Sequence, residues 1–579
     1  MQKIIPGVIF ALLLLIIAFT SMRQKNVTFD ECDHLPAGYS YVAFGDFRLN
    51  PEHPPLVKAL AGLPLRFMKA KAKADTNDPT WKNRQEWDFG LKFLYEWNDA
   101  DRMLFWGRAP MVLLSLLIGL GIYCCAWELY GAKAGYAALA LYLFSPDVLA
   151  HGQLVTTDLP VAGFLFIAVY TFYRALNRMT PWRVSLTGLA ASCALISKFS
   201  GVLVFPMFAL VGAVFIFTQT PITLALSRAE SMHRKLSSLG SKCAAVAALI
   251  AATAVMGLVI IWAAYGFRYS VSPGPESSAL NWQQFSTQPG IVVDTLQFVH
   301  SAHLLPEAYT YGFLFALKSS VQRKAFLLGE RSETGWWYYF PITFLIKTPI
   351  PFLLLIALGF FCWRQYGAGL TAELMLLLPV GLYWLVVLST NLNIGHRHLL
   401  PIYPFLIVFA SKVARVFDAL QPRWLAVACG VLLAWNALET VFIYPHFLSY
   451  FNEIAGGPSN GYRWLVDSNL DWGQDLKGLV KYEREHPDEQ LFLSYFGNGS
   501  PEYYGLKARM LPSTPMGKRE YARFNQVPSG AMVAVSATNL QCLYLTNREI
   551  PGIEQFMQRL RNLQPVANIG HSILIYRMP

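Results

Sequence analysis

Long apolar runs recur along the 579 residues of this chain, and polar segments separate them. A helix crosses the hydrocarbon layer of a membrane when about 20 consecutive residues are predominantly apolar. Runs of this order predict about eleven membrane-spanning helices, near residues 4–20, 104–127, 132–150, 159–175, 184–198, 200–218, 243–265, 340–362, 371–389, 396–413 and 424–443. No small-residue cleavage site follows the first run, so we interpret it as a retained span and not as a signal peptide.

Basic residues cluster in alternate loops between the predicted spans. They lie around residues 174–183, 228–242, 364 and 412–423. Because cytoplasmic loops carry an excess of Lys and Arg, this alternation predicts that the N-terminus and these loops face the cytoplasm. Three long segments then face the opposite side of the membrane, and they are residues 21–103, 266–339 and 444–579.

The last of these segments differs in composition from the rest of the chain. Charged residues return there, and the stretches Leu491–Phe496, Ala531–Ser536 and Ile573–Tyr576 are typical of β-strands. We therefore predict a transmembrane domain at residues 1–445, with external loops at 21–103 and 266–339, and a small external α/β domain at residues 446–579. The first external loop is expected to contain interfacial helices.

The composition of the chain excludes a water-soluble globular protein and argues against two kinds of ligand. Hydrophobic residues make up 54% of the chain and charged residues 14%, whereas about 25% charged residues is usual in soluble globular proteins. The formal net charge of +11 marks cytoplasmic loops in a membrane protein, so a nucleic-acid partner is not predicted. The chain contains neither GxGxxG nor GxxxxGK[ST], so we predict no nucleotide cofactor.

Carboxylates mark the outer ends of two predicted spans. Asp30 and Glu31 follow the first span, and Asp158 opens the fourth span on the same face. Burial and neighbouring charge can tune the pKa of a carboxyl group at such a position, as a general base requires. The alternatives are that Asp30 and Glu31 are solvated residues at a helix end, and that Asp158 only caps its helix.

A second polar motif lies in the first external loop. Two successive prolines follow His53 and stiffen the backbone, which would hold Glu52, His53 and Lys58 in a fixed relation at the membrane surface. The alternative is that the prolines only start a juxtamembrane helix, with Lys58 extending towards lipid headgroups.

Cations suited to a phosphate lie near the later spans. Arg397 stands between His396 and His398 at the outer boundary, and a guanidinium with flanking imidazoles suits phosphate oxygens. Anchoring of lipid headgroups is the alternative. Lys347 falls inside an apolar run and needs a partner such as a lipid phosphate, whereas Lys198, near a span end, is a weaker candidate.

These motifs together resemble a family. The Asp30-Glu31 pair, the Pro-Glu-His-Pro-Pro stretch before Lys58, Thr157-Asp158 and the Gly-His-Arg-His motif around Arg397 are similar to those of GT-C class membrane glycosyltransferases. Within that class they resemble the branch that contains protein O-mannosyltransferases and lipid A aminoarabinose transferases. Residues 467–473 resemble a stretch in bacterial relatives. Residues 467–473 also resemble the calcium-binding loop of an EF-hand. Their glycine stands one position later than in such a loop, so calcium binding is not predicted.

The resemblance implies a polyprenyl-phosphate sugar donor and inverting transfer to a hydroxyl of a lipid, glycan or protein. The active site would face the periplasm from a bacterial inner membrane, with membrane lipids around it. By the same resemblance Asp30 is the general base, and Glu31 and Asp158 position the acceptor or the sugar. Lys58 and Arg397, with His53 and Lys347, would bind the donor phosphate. The competing hypothesis is a transporter or flippase of lipid-linked sugars.

Some relatives bind a divalent metal ion. The resemblance then implies Glu52, with His396 or His398, as metal ligands in this chain. One position departs from the family pattern, since His53 stands where aminoarabinose transferases have a lysine.

Overall fold

The computed structural model describes residues 4–68, 72–225, 233–274, 280–285, 290–321, 323–418, 423–517 and 519–579. Residues 226–232, part of one predicted basic loop, lie outside this description. The helices of the first half are α1 Ile4–Met22, α2 Glu31–Phe44, α3 Leu56–Phe67, α4 Pro79–Lys82, α5 Glu86–Leu91, α6 Ala100–Tyr130, α7 Ala132–Leu143, α8 Pro146–Gly152, α9 Asp158–Asn177, α10 Pro181–Leu195, α11 Val204–Phe217 and α12 Leu239–Ala264.

The second half of the chain begins with further helices, and its C-terminal part combines helices with β-strands. Its helices are α13 Ile291–Ser301, α14 Glu307–Val321, α15 Tyr339–Lys347, α16 Ile350–Phe361, α17 Trp363–Tyr366, α18 Leu370–Leu388, α19 Tyr403–Ser411, α20 Arg423–Ile443, α21 Leu476–Glu485, α22 Ala537–Leu540 and α23 Ile553–Arg561. A 3₁₀ helix, His396–Ile402, leads directly into α19.

Eight helical stretches of the described chain are long and apolar enough to cross a membrane, and the bent pair α15–α16 would be a ninth. The two helices of the pair meet at 107°, because Pro349 between them has no N–H for a helical hydrogen bond. The predicted spans near 132–150 and 184–198 correspond to α7 and α10, which have only 12 and 15 residues. The mostly helical membrane class is therefore confirmed, whereas the number eleven stays a prediction.

Two helices of the first external loop pack unusually closely. A Cβ atom on Gly38 of α2 would lie 1.9 Å from the carbonyl oxygen of Lys58, and one on Gly62 of α3 would lie 2.4 Å from the Gly38 backbone. Only glycine allows this approach. α3 also exposes Leu63 and Phe67, as expected for a helix at a membrane interface.

The C-terminal region contains a five-stranded sheet with the order β6-β5-β7-β9-β8. The strands of the described residues are β1 Ile222–Leu224, β2 Arg234–Leu236, β3 Ala325–Leu327, β4 Glu330–Ser332, β5 Leu491–Ser494, β6 Arg509–Met510, β7 Met532–Ser536, β8 Ala567–Ile569 and β9 Ile573–Arg577. β5 pairs in parallel with β6 and β7, and β9 is antiparallel to β7 and β8. The three predicted β-rich stretches thus lie in β5, β7 and β9. Apolar residues of this sheet join the same buried cluster as the long helices.

Candidate functional site

Four charged side chains from distant parts of the chain form a continuous row. Asp30 Oδ2 lies 2.7 Å from Arg397 Nη1, and the same nitrogen lies 3.6 Å from Asp158 Oδ2. Lys198 Nζ then lies 2.6 Å from Asp158 Oδ1. The side chain of Asp30 keeps 21% of its surface exposed, against 3% for Asp158. We call these four residues the acid–base row, and Asp30 is its most accessible carboxylate.

The two acidic residues of this row lie at the N-terminal ends of helices. Asp30 precedes the first residue of α2, and Asp158 is the first residue of α9. A carboxylate is favoured at a helix N-terminus, because the unpaired N–H groups there carry partial positive charge. Arg397 lies in the 3₁₀ helix before α19. The sequence predicts that Asp30, Asp158 and Arg397 lie on one face of the membrane, and in the structure both carboxylates contact the guanidinium of Arg397.

Imidazoles line the same region. The rings of His34 and His53 lie 5.2 Å apart, centroid to centroid, and His34 Nδ1 lies 2.8 Å from the carbonyl oxygen of Val155. Burial lowers the pKa of His34, and it lowers the pKa of His53 well below the usual value, with His34 and Lys58 adding to the effect. Both rings are therefore neutral near pH 7, and His53 does not supply a positive charge for a phosphate.

Trp472 supports both ends of the Asp30–Arg397 contact. The guanidinium of Arg397 lies over the Trp472 ring, 4.2 Å from its centroid. Phe29, the residue before Asp30, donates its backbone N–H to the carbonyl oxygen of Trp472 at 2.9 Å. A cation over an indole face is attracted by the ring quadrupole, and the stacking leaves the edge of the guanidinium free to donate. Nothing in the sequence alone marks Trp472 as part of the site.

The turn before Trp472 holds the backbone of the arginine motif. The side-chain oxygen of Asn469 accepts a 2.7 Å hydrogen bond from the His396 N–H, and Ser468 Oγ donates to the carbonyl oxygen of Ile394 at 2.9 Å. The signal for this turn in the sequence is the dense polar run 467–473, whose pattern by itself indicates only a likeness to an EF-hand loop and to bacterial relatives.

Lys58 uses its donors within the protein. Its ammonium donates to the side-chain oxygen of Asn50 at 2.8 Å and to the carbonyl oxygen of His53 at 2.9 Å, and a third bond reaches the Asn50 carbonyl oxygen. Burial lowers the pKa of Lys58 to about 7, although neighbouring carboxylates favour its charged form. Lys58 therefore holds the loop at residues 50–53 in shape, and it has no free N–H for a donor phosphate.

Carboxylates surround this lysine. Asn50 donates its side-chain N–H to Asp33 at 2.7 Å and its backbone N–H to Glu86 at 2.9 Å. Burial, reinforced by Glu86, raises the pKa of Glu52 to about 8 and raises that of Asp33 well above its usual value. Glu52 thus belongs to a partly buried acidic group around Lys58.

Glu31 is fully occupied by structural contacts. Its two carboxylate oxygens accept five hydrogen bonds: two from Arg108, two from Thr28 and one from the Val155 N–H. Burial alone would raise the pKa of Glu31, but Arg108 and the other donors lower it overall. Its carboxylate therefore ties the loop before α2 to α6 and to the segment before α9. Both of its oxygens already accept hydrogen bonds from the protein, so Glu31 is not placed to contact a sugar or an acceptor directly.

Lys347 is also used internally. Its ammonium donates to the carbonyl oxygens of Leu448 and Asn469, at 2.8 and 2.7 Å, and lies over the ring of Phe451. Only 1% of the residue is exposed. The partner that an intramembrane lysine needs is therefore a pair of backbone carbonyl groups, and not a lipid phosphate.

The predicted metal ligands do not form a metal site in the described residues. His396 Nε2 lies 2.7 Å from the Tyr403 hydroxyl and 3.5 Å from Asp147 Oδ2, whereas Glu52 lies in the acidic group around Lys58. Within the described ranges, no group of three or more His, Cys, Asp or Glu side chains is arranged to hold a metal ion. Glu52, His396 and His398 therefore do not form the predicted metal site. Whether the protein requires a divalent metal ion is not tested, and this stays a prediction.

One segment of the chain matches a known protein family. Residues 102–228 match a family model described as dolichyl-phosphate-mannose-protein mannosyltransferase. This segment contains Asp158 and Lys198 of the acid–base row. No curated protein matches the sequence.

Solved structures of membrane glycosyltransferases are similar to this chain at low identity. ArnT from Cupriavidus metallidurans bound to undecaprenyl phosphate is 13% identical, with a TM-score of 0.45 over 98% of this chain and 97% of that chain. The archaeal oligosaccharyltransferase AglB from Archaeoglobus fulgidus is 12% identical, with a TM-score of 0.42 over 90% and 61%. The S. cerevisiae Pmt1–Pmt2 complex is 17% identical, with a TM-score of 0.32 over 45% and 34%. The resemblance to membrane glycosyltransferases predicted from the sequence is confirmed by the family model at residues 102–228.

Proposed function

We propose that this protein transfers a sugar from a polyprenyl-phosphate donor to a hydroxyl acceptor, with inversion at the anomeric carbon and with Asp30 as general base. The observation that carries the proposal is the contact between the partly exposed Asp30 carboxylate and the Arg397 guanidinium within the acid–base row. A one-step displacement requires a base at the acceptor hydroxyl and a cation at the leaving phosphate, on opposite sides of the anomeric carbon, and Asp30 and Arg397 supply these two groups in one place. The description of the matched family supports a lipid-phosphate donor.

In this mechanism the acceptor hydroxyl approaches the Asp30 carboxylate and gives it a proton. The acceptor oxygen forms a new bond to the anomeric carbon of the sugar. The bond between that carbon and the phosphate oxygen breaks, and the phosphate departs with the electron pair. Asp30 must be within about 3 Å of the acceptor hydroxyl when the proton moves. No covalent sugar–enzyme bond forms.

Arg397 and Lys198 are proposed to bind the donor phosphate. Arg397 Nε is buried and has no hydrogen-bond partner within the described chain, so the guanidinium can donate to a phosphate while Nη1 still contacts Asp30. Charge that grows on the leaving phosphate is then neutralised at the place where it develops. Asp158 keeps both cations oriented through its two oxygens. In this arrangement Lys58, Lys347 and His53 shape the surroundings of the site and do not bind the phosphate.

The membrane topology that we propose is the one that the sequence predicts. We propose eleven spans, a cytoplasmic N-terminus, and an acid–base row and C-terminal region that face the periplasm of a bacterial inner membrane. The basic loops that alternate along the chain support this orientation. The acceptor is a lipid, a glycan or a protein hydroxyl.

The test is reconstitution of the protein in vesicles with a polyprenyl-phosphate sugar labelled on the sugar. An enzyme transfers the label to an added acceptor fraction and releases polyprenyl phosphate. A flippase of lipid-linked sugars, the alternative hypothesis, moves labelled donor between leaflets without releasing it. Translocation without release would reject the proposal.

A further inference from the structure

A basic cavity of about 270 Å³ opens where the outer end of α1 meets the start of α6, and α21 closes one side of it. Five of the side chains that line it carry positive charge, and these are Arg23, Lys25, Arg102, Arg108 and Lys477. The lining contains one carboxylate, that of Asp101. The volume is sufficient for a phosphate group and the first atoms attached to it.

Two of the five cations have no carboxylate to neutralise them in the part of the chain that the structure describes. Arg108 pairs with Glu31, Lys25 pairs with Asp475, and Lys477 Nζ lies 2.8 Å from Asp101 Oδ1. The remaining two, Arg23 and Arg102, make no ion pair within the described ranges of the chain. The cavity and its ion-pair partners therefore keep a local charge of about +2, which favours an anionic occupant.

Arg23 is already oriented for such an occupant. Its guanidinium lies over the ring of Phe105, 4.9 Å from the centroid. This stacking holds the side chain at the cavity while its N–H groups remain free for the bidentate contact that phosphate oxygens accept. Ordering that exists before binding reduces the entropy lost on binding.

Apolar helix faces lie directly below the cavity. On α1, Leu13 and Ile16 are 40% and 58% exposed, and on α6, Leu113 and Leu117 are 52% and 60% exposed. These residues precede Met22 on α1 and follow Arg108 on α6, so they lie deeper in the predicted membrane than the cations do. Together the two faces offer a surface for acyl chains beneath a site for a phosphate.

From this geometry we propose that the cavity binds an anionic glycerophospholipid of the outer leaflet. The phosphodiester lies against Arg23 and Arg102, and the acyl chains follow the exposed faces of α1 and α6. None of the four residues of the acid–base row lines the cavity, and Arg108 of its lining pairs with Glu31, the residue after Asp30. The inference does not depend on the proposed transfer reaction.

The experiment measures lipid binding to the purified full chain by native mass spectrometry, with short-chain phosphatidylglycerol as the probe. Removal of both charges in Arg23→Gln/Arg102→Gln should weaken binding by about 25-fold, at roughly fivefold for each arginine near a membrane surface. The variant Arg23→Lys/Arg102→Lys should retain most of the affinity. Arg66→Gln is the matched control, because Arg66 is also exposed in an external segment but lies outside the cavity.

Three results with the lipid probes would overturn the proposal, and a fourth comes from competition with a soluble phosphate. They are unchanged binding in the Arg23→Gln/Arg102→Gln variant, equal binding of zwitterionic phosphatidylcholine by the wild type, and equal loss in the Arg66→Gln control. Displacement of the probe by water-soluble glycerol phosphate at similar concentration would also reject a lipid site, since it would assign the cavity to a free phosphate. An unchanged melting temperature of each variant without lipid shows that the fold is intact.

Discussion

Asp30 accepts a 2.7 Å hydrogen bond from Arg397 although 367 positions separate the two residues. The first stands at the start of α2 and the second in the 3₁₀ helix that leads into α19. The contact unites the candidate base and the candidate phosphate-binding group in one place. It also gives each of the two roles a separate test.

Replacement of the candidate base should remove most of the transfer activity. We expect Asp30→Asn to lower kcat by about 10²- to 10⁴-fold, because the amide cannot accept the acceptor proton. Donor binding should stay close to that of the wild type. Release of polyprenyl phosphate from labelled donor measures the rate. The control is Asp88→Asn, which removes an exposed carboxylate from the same external loop and should leave the rate unchanged. Retention of most activity in Asp30→Asn would reject Asp30 as the base.

Arg397→Lys tests whether the shape of the guanidinium matters in addition to its charge. Lysine cannot reach Asp30 and Asp158 while it stacks on Trp472, so we expect kcat to fall by about 10²-fold. The KM for the donor should rise as well. Steady-state kinetics with varied donor concentration separates the two effects. Arg66→Lys, an exposed arginine outside the site, serves as the control. Wild-type kinetics in Arg397→Lys would show that a point charge is sufficient.

Glu31 should act on stability. Glu31→Gln leaves the guanidinium of Arg108 buried without its counter-charge, so we expect the free energy of unfolding to fall by about 3–5 kcal/mol. Chemical denaturation in mixed micelles measures this loss. The double variant Glu31→Gln/Arg108→Met should recover part of it, whereas Glu96→Gln, at an exposed carboxylate, should have little effect. A stable Glu31→Gln protein with impaired transfer would indicate a direct role in the reaction.

The same pair predicts how stability depends on pH. The pKa of Glu31 is lower in the folded protein than its usual value of 4.5, so the unfolded chain binds the proton more tightly. The stabilisation is therefore complete above about pH 4.5 and is lost as the pH falls through the folded-state pKa. Melting temperatures between pH 7 and pH 3 should decline less in Glu31→Gln/Arg108→Met than in the wild type. Parallel decline in both proteins would contradict this assignment.

Lys58 distinguishes a structural lysine from one that binds the donor. Since its ammonium donates to Asn50 and to the His53 carbonyl oxygen, we expect Lys58→Met to lower the melting temperature. The KM for the donor should stay unchanged in the fraction that remains folded. Differential scanning fluorimetry and donor titration measure the two quantities. A large rise in KM without loss of stability would restore the predicted contact with the phosphate.

Charged residues that serve a ligand and charged residues that serve the fold look alike in this sequence. Asp30, Asp158 and Arg397 were identified as candidates because charged groups at the ends of apolar runs stand out along the chain. Lys58 and Lys347 stood out for the same reason, yet both donate inward to carbonyl oxygens. A lysine that serves a ligand and one that serves the backbone look alike in sequence, because the acceptors of the second kind are carbonyl groups that every residue has.

The sequence by itself determined the membrane-embedded helical class, the β-strands of the C-terminal region and the resemblance to a glycosyltransferase family. Hydropathy and β-propensity are local properties, so they can be recognised from neighbouring residues. Only the tertiary structure decided that Lys198 contacts Asp158, that Trp472 lies under Arg397, and that Glu31 forms an ion pair with Arg108. These pairings depend on how separate helices pack against one another, and a contact between residues hundreds of positions apart leaves no local pattern in the chain.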